Sequence, residues 1–173
     1  PSVITWNLGS NAPAVPGEIV NSGYTAGIYG TQGNLLTPHY KYNAAANAWT
    51  AKAAVPAGPK AGAAMAADLA NGQIYMLRGN NTKTFYRYDA ATDAWSTLAN
   101  TIVSANTGGG AVFLGGNVYA AMGNSTAFSR WSPGGAEGRY DVHPDMSTWA
   151  KIIAGGLPGG AVTGRADVME MQM

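Results

Sequence analysis

The sequence predicts an all-β protein built from successive four-stranded antiparallel sheets, and two observations within its 173 residues carry that prediction. One seven-residue pattern occurs three times: Ile28-Tyr29-Gly30-Thr31-Gln32-Gly33-Asn34, Ile74-Tyr75-Met76-Leu77-Arg78-Gly79-Asn80 and Val118-Tyr119-Ala120-Ala121-Met122-Gly123-Asn124. Each copy reads β-branched residue, Tyr, three residues, Gly, Asn, with the tyrosines 46 and 44 residues apart. The first two copies are also followed by aromatic residues at alternate positions and then by a Trp. Self-similarity at a fixed period of roughly 20 to 50 residues marks a repeat architecture, in which each unit is one supersecondary element.

The elements follow in order from this register. The Tyr pattern is a strand, and so are Tyr40-Lys41-Tyr42 and Phe85-Tyr86-Arg87-Tyr88, because alternation with a period of two puts Tyr40 with Tyr42, and Tyr86 with Tyr88, on one face. Asn43 to Asn47 and Asp89 to Asp93 read as turns closed by side-chain bonds to the backbone, each leading to a strand that begins at Trp49 or Trp95. The third copy is distorted. Phe128-Ser129-Arg130-Trp131 mirrors Phe85 to Tyr88, residues 132–138 form an insertion, and Arg139-Tyr140-Asp141 leads to Asp145 and Trp149. Between each Trp and the next Tyr pattern lie small and apolar residues, 62–67 and 110–114. Alanine propensity alone makes 60–70 helical, but its counterpart holds Val112 and Phe113 behind three glycines, so the register predicts strands in both places. Small side chains also suit innermost strands, where radial sheets converge. Four strands per repeat at this period is the arrangement of a β-propeller blade.

On these residues the chain resembles the kelch-repeat, galactose-oxidase-like propellers. The likeness runs from about Gly23 to Trp149, through a Tyr strand, a glycine pair, a Tyr-Asp turn and a Trp strand. It departs from the family where the double glycine is Gly33-Asn34, Gly79-Asn80 and Gly123-Asn124, and where the insertion blurs the third copy. The resemblance implies four-stranded antiparallel blades and recognition rather than turnover. Some such propellers are copper oxidases with a Tyr cross-linked to Cys; with no Cys in this chain that chemistry is not expected.

The repeats fall at about 8–50, 51–96 and 97–150, with 1–7 and 151–173 as strands of a partial blade, and the length suits one domain or a fragment of a propeller. Trp6 lies 43 residues before Trp49, so the chain reads as opening on the last strand of a blade, while 160–173 resemble a first and second strand. Three closures stay open: a piece of a larger ring completed by missing sequence or another copy of the chain, a self-closed four-bladed ring, or an open array. The first residue, Pro1, and the lack of a basic-then-apolar leader suggest a processed or partial chain.

Composition narrows the partners. Ten Lys and Arg against nine Asp and Glu, with no run of either sign, make no electrostatic footprint for nucleic acid or anionic lipid. The longest small-residue stretch, 61–70, contains Asp68 and is too short to span a bilayer, so no membrane insertion is expected. The absence of cysteine excludes disulfides and thiolate chemistry.

Candidate chemistry is sparse. His39 and His143 are the only imidazoles, neither in a metal-binding spacing, and His39 reads as a surface residue of its strand. Asp141 and Asp145 read as turn formers rather than calcium ligands. No nucleophile elbow, phosphate loop or dinucleotide fingerprint is present. Asn80-Asn81-Thr82 and Asn124-Ser125-Thr126 satisfy the glycosylation pattern but share one repeat position, which a turn preference explains as well. Tyr42, Trp49, Tyr88 and Trp95 recur from copy to copy and read as inter-sheet packing. The candidate ligand-binding residues are Arg130, Trp131 and Arg139, which stand beside the one non-repeating loop, although core packing of Trp131 is the stronger reading. No catalytic residue, metal or cofactor is expected. The predicted function is a non-enzymatic module that binds a protein or glycan through loops on one face. The alternative is a structural subunit of an extracellular or virion assembly, such as a phage tail, fibre or appendage component, with other copies of the chain as partners.

Overall fold

The computed structural model describes residues 19–24, 27–133, 146–150 and 160–164, and every regular element among them is an antiparallel β-strand. The chain divides into two compact units, Pro1–Trp131 and Ser132–Met173. In the first unit, β1 (Ile19–Tyr24), β2 (Gly27–Gln32), β3 (His39–Asn43) and β4 (Ala48–Lys52) form one meandering sheet. A second sheet repeats the plan with β5 (Ala64–Asp68), β6 (Gln73–Leu77), β7 (Phe85–Asp89) and β8 (Ala94–Thr97). A third contains β9 (Gly110–Leu114), β10 (Asn117–Ala121) and β11 (Phe128–Trp131). In the second unit β12 (Met146–Ala150) pairs with β13 (Gly160–Gly164).

The repeat register is the pairing register. Tyr42 lies opposite Trp49 and Tyr88 opposite Trp95, so each aromatic strand meets its Trp strand at the same rung. The Asx turns between them close as their side chains demand: Asn43 Oδ1 accepts the Ala45 and Ala46 N–H groups, and Asp89 Oδ1 those of Ala91 and Thr92. Residues 64–68 are a strand despite their alanines, with Ala66 opposite Tyr75. Intrinsic helix preference yields there to the ladder on β6 and to burial on both faces.

The third repeat breaks the plan. Trp149, expected on the outer strand of that repeat, lies on β12, where its backbone pairs with Ala161 of β13. In the first two repeats a five-residue Asx turn returns the chain along the preceding strand; the insertion at 132–138 replaces that turn, so nothing local enforces the return.

The sheets stack through their faces. β1 packs against β5, and β5 against β9, so the first strands of successive sheets lie side by side. Tyr29, Val55, Met65, Ile74, Met76, Tyr86 and Tyr88 form the core between the first and second sheets. Ala64, Ala66, Tyr75, Leu77, Phe85, Val118, Ala120 and Met122 form the core between the second and third. The second sheet is thus covered on both sides, which is why Ile74-Tyr75-Met76-Leu77 is an unbroken apolar run rather than an alternating one.

Candidate functional site

The loops at one end of the three sheets are tied to the connections between sheets. Leu35 N–H donates to the Pro59 carbonyl at 2.9 Å and, one repeat later, Asn81 N–H to the Ala105 carbonyl at 3.0 Å. The first two Gly-Asn loops therefore grip the chain entering the next sheet. The backbone there is left-handed, with φ of 70° at Gly79, 55° at Asn80, 63° at Gly123 and 43° at Asn124. Asn adopts this conformation more readily than other residues with a side chain. At Gly123 a Cβ would run into the Asn106 carbonyl, so the glycine admits a close backbone approach that also lets Asn106 N–H donate to the Met122 carbonyl at 2.8 Å.

This packing leaves an open cleft of about 400 Å³ between the loops of the second and third sheets. Its polar lining is Asn81, Lys83, Ser104, Asn106, Asn124 and Ser125. Amides, hydroxyls and one ammonium supply both donors and acceptors, with no carboxylate among them, so the cleft suits neutral hydroxyl or peptide groups. Two of these residues, Asn81 and Asn124, carry a signal legible in the repeat, since they belong to the Gly-Asn loops; Asn106 lies on a connection that the repeat does not mark.

The sequence-derived candidates are distributed differently. Trp131 packs its ring on Tyr75 and Phe85, at centroid distances of 5.1 and 5.5 Å, as part of the contact between the second and third sheets. Arg130, next to it on β11, is exposed. Arg139, Asp141, His143 and Asp145 lie outside the described residues. Among the described residues no group of three His, Asp or Glu side chains is placed to hold a metal ion.

His39 corrects the expectation of a surface residue. It is 1% exposed, stacked on Tyr29 at 5.7 Å and met edge-on by Tyr88 and Trp95 at 4.7 and 5.1 Å. His39 and its neighbour Tyr40 point to opposite faces of β3, and the second sheet covers the face that bears His39. Loss of hydration holds its pKa down to about 4, opposed by the nearby Gly30 backbone and Asp93 and reinforced by Lys52. Neither ring nitrogen reaches a partner with hydrogen-bonding geometry, so the ring is a neutral packing group.

One aromatic motif is thereby shared by all three sheets. Tyr29 and His39, Tyr75 and Phe85, and Tyr119 and Phe128 are stacked pairs with centroids 5.7, 6.0 and 6.0 Å apart. The first two pairs are covered by the following sheet, whereas Phe128 is 70% exposed.

No model of a known protein family matches the chain. It is 63% identical over 38 residues to the glutamate-1-semialdehyde 2,1-aminomutase of Methanoculleus marisnigri, a match covering 22% of this chain and 9% of that enzyme. A second such match, to the aminomutase of Clostridium tetani, is 61% identical over 36 residues and covers 21% of this chain and 8% of the enzyme. The chain thus spans less than a tenth of the length of these two curated relatives. In fold it is similar to the solved structure of YjhT, a β-propeller-like protein, with a TM-score of 0.55 and 21% identity. That likeness covers 64% of this chain and 35% of YjhT. The architecture is therefore all-β and propeller-like.

Proposed function

We propose that this chain is a non-catalytic, kelch-like propeller module that binds a neutral glycan or an exposed peptide segment through the loop cleft at Asn81, Asn106 and Asn124. The observation that supports this reading is the cleft itself: polar, open, and built on loops that the sheets hold rigidly by backbone bonds. Saturation-transfer NMR against neutral oligosaccharides and unstructured peptides tests it. A ligand whose signal disappears in Asn81→Ala/Asn124→Ala, at unchanged melting temperature, supports the cleft; a ligand retained by the double variant places recognition elsewhere.

The exposed apolar face of the third sheet favours a second reading, that of a structural subunit in a larger assembly. Val112, Leu114 and Phe128 are 56, 66 and 70% exposed, and apolar patches of this kind mark interaction surfaces. Discrete small particles in negative stain at high protein concentration would count against assembly. The aminomutase matches support shared sequence in one segment and no reaction, because a stretch of about 40 residues is too short to enclose an active site by itself.

A further inference from the structure

The backbone bonds that build the loop cleft recur at the junction of the first and second sheets, so the two junctions correspond residue by residue. Val55 N–H donates to the Thr37 carbonyl at 2.9 Å, as Thr101 N–H does to the Lys83 carbonyl at 2.9 Å. Leu35 N–H reaches the Pro59 carbonyl as Asn81 N–H reaches that of Ala105, and Lys60 N–H reaches the Arg78 carbonyl as Asn106 N–H reaches that of Met122. This register places Thr37 where the cleft has Lys83, and Pro56 where it has Ile102. The framework is common to both junctions, whereas these side chains are particular to the cleft, and binding residues concentrate on loops held by a rigid scaffold.

The two departures stand together. Thr101 is fixed to the Lys83 carbonyl through its N–H, and its Oγ1 donates to the Val103 carbonyl at 2.7 Å. Ile102 lies between these fixed points with its side chain 80% exposed. A lone exposed apolar residue is ordinary, but one on a pinned backbone loses little conformational freedom when a partner covers it. Lys83 is exposed, and Lys83, Ile102 and Val103 all line the cleft. The ammonium is the one charge there, with no carboxylate among the lining residues. Asn81 and Asn124, both exposed, each offer a carbonyl and an amide N–H, the pair of groups that a peptide unit also carries. No aromatic ring lines the cleft to stack on the face of a sugar.

We propose that the cleft binds a short extended peptide in which a carboxylate adjoins an aliphatic side chain. The carboxylate pairs with the Lys83 ammonium, the aliphatic side chain packs on Ile102 and Val103, and the peptide backbone bonds to the Asn81 and Asn124 carboxamides. A C-terminal carboxylate and the side chain of Asp or Glu offer the same chemistry, and the experiment separates them. The inference rests on the cleft being the binding site and selects the peptide from the two ligand classes proposed for it.

The test is a titration of the full chain, followed by amide NMR, with acetyl-Gly-Leu-Asp-Gly-amide and with acetyl-Gly-Gly-Leu bearing a free C-terminus. At least one should bind saturably and shift the amides of Lys83, Ile102 and Asn124, and the one that binds identifies the source of the carboxylate. Its neutral counterpart, with Asn for Asp or an amidated C-terminus, should bind about three- to tenfold more weakly. Exchanging its Leu for Ala should cost about tenfold. Raising NaCl to about 0.5 M should weaken the acidic peptide and leave the neutral one unchanged. In the protein, Lys83→Met keeps the stem without the charge and should reproduce the first loss, and Ile102→Ala the second, each at unchanged melting temperature. Lys60→Met, outside the cleft, should leave affinity as it is. Equal binding of the neutral peptide, full binding to Lys83→Met or Ile102→Ala, or no shift of the cleft amides at millimolar peptide would overturn the proposal. If neutral oligosaccharides then shift those amides and lose the shift in Asn81→Ala/Asn124→Ala, the cleft stands as a site and the peptide assignment alone fails.

Discussion

Trp95 donates its indole N–H to the backbone carbonyl of Ala53 at 2.9 Å, which ties the outer strand of the second sheet to the chain leaving the first. The neighbouring Asp93 completes the joint. One of its oxygens accepts both the Ala53 N–H and the Tyr88 hydroxyl, at 2.9 and 2.7 Å. These two bonds, with Lys52 at 3.5 Å, hold the Asp93 carboxyl below its ordinary pKa, the Ala53 bond contributing most. Burial, and then the bond to Asp93, push the Tyr88 phenol upward.

Removing single members of this joint should have graded effects. Trp95→Phe retains most of the ring packing and loses the bond to Ala53, for an expected cost of about 1 kcal/mol. Asp93→Ala leaves the buried Tyr88 hydroxyl and the Ala53 N–H without their acceptor and should cost about 1 to 3 kcal/mol. Asp93→Asn should cost less than either, because Asn47 accepts the Tyr42 hydroxyl at the same place in the first sheet, at 2.7 Å. Urea unfolding of the three variants measures the order; an Asn variant as damaging as Ala would mean that charge, not acceptance, holds the joint.

His39 should make the protein acid-sensitive. Its folded-state pKa of about 4 lies below the ordinary 6.5, so between those values the unfolded chain binds a proton that the folded chain excludes. The stability of the neutral ring is complete above pH 6.5 and declines as the pH falls to 4, by roughly 3 kcal/mol in all. His39→Phe, which installs the residue found at Phe85, should remove this decline. Urea midpoints measured from pH 7.5 to 4 test it, and an equally steep loss in the variant would assign the acid sensitivity to another group.

Phe85 and Phe128 occupy one repeat position in opposite surroundings, 2% and 70% exposed. Phe85→Ala should cost about 3 to 5 kcal/mol, since it opens a void between two sheets. Phe128→Ala in the monomer should change stability by no more than about 0.5 kcal/mol. Thermal unfolding of the pair measures the contrast, and similar losses would show that the face bearing Tyr119 and Phe128 is covered in solution.

Much of the first two sheets was legible in the amino-acid order. The Tyr strands, the Asn43 and Asp89 turns and the pairing of Tyr42 with Trp49 and Tyr88 with Trp95 all follow from alternation and side-chain turn chemistry, which act over a few residues. The loop cleft was legible only as a preference for loops on one face. Asn106 comes to Asn81 and Asn124 through backbone bonds between separate repeats, and no local pattern reports those bonds.

Period and turn chemistry by themselves determined an all-β chain with a repeating strand plan, because both are properties of neighbouring residues. Tertiary structure decided which faces of those strands are covered. The same stacked pair is buried as Tyr75 and Phe85 but leaves Phe128 exposed beside a half-buried Tyr119, and His39 changed from an expected surface residue to a core one, because burial depends on whether another sheet lies against that face. It also decided that Trp149 of the third repeat lies on a strand paired with β13, since pairing between distant segments is not encoded in their spacing alone.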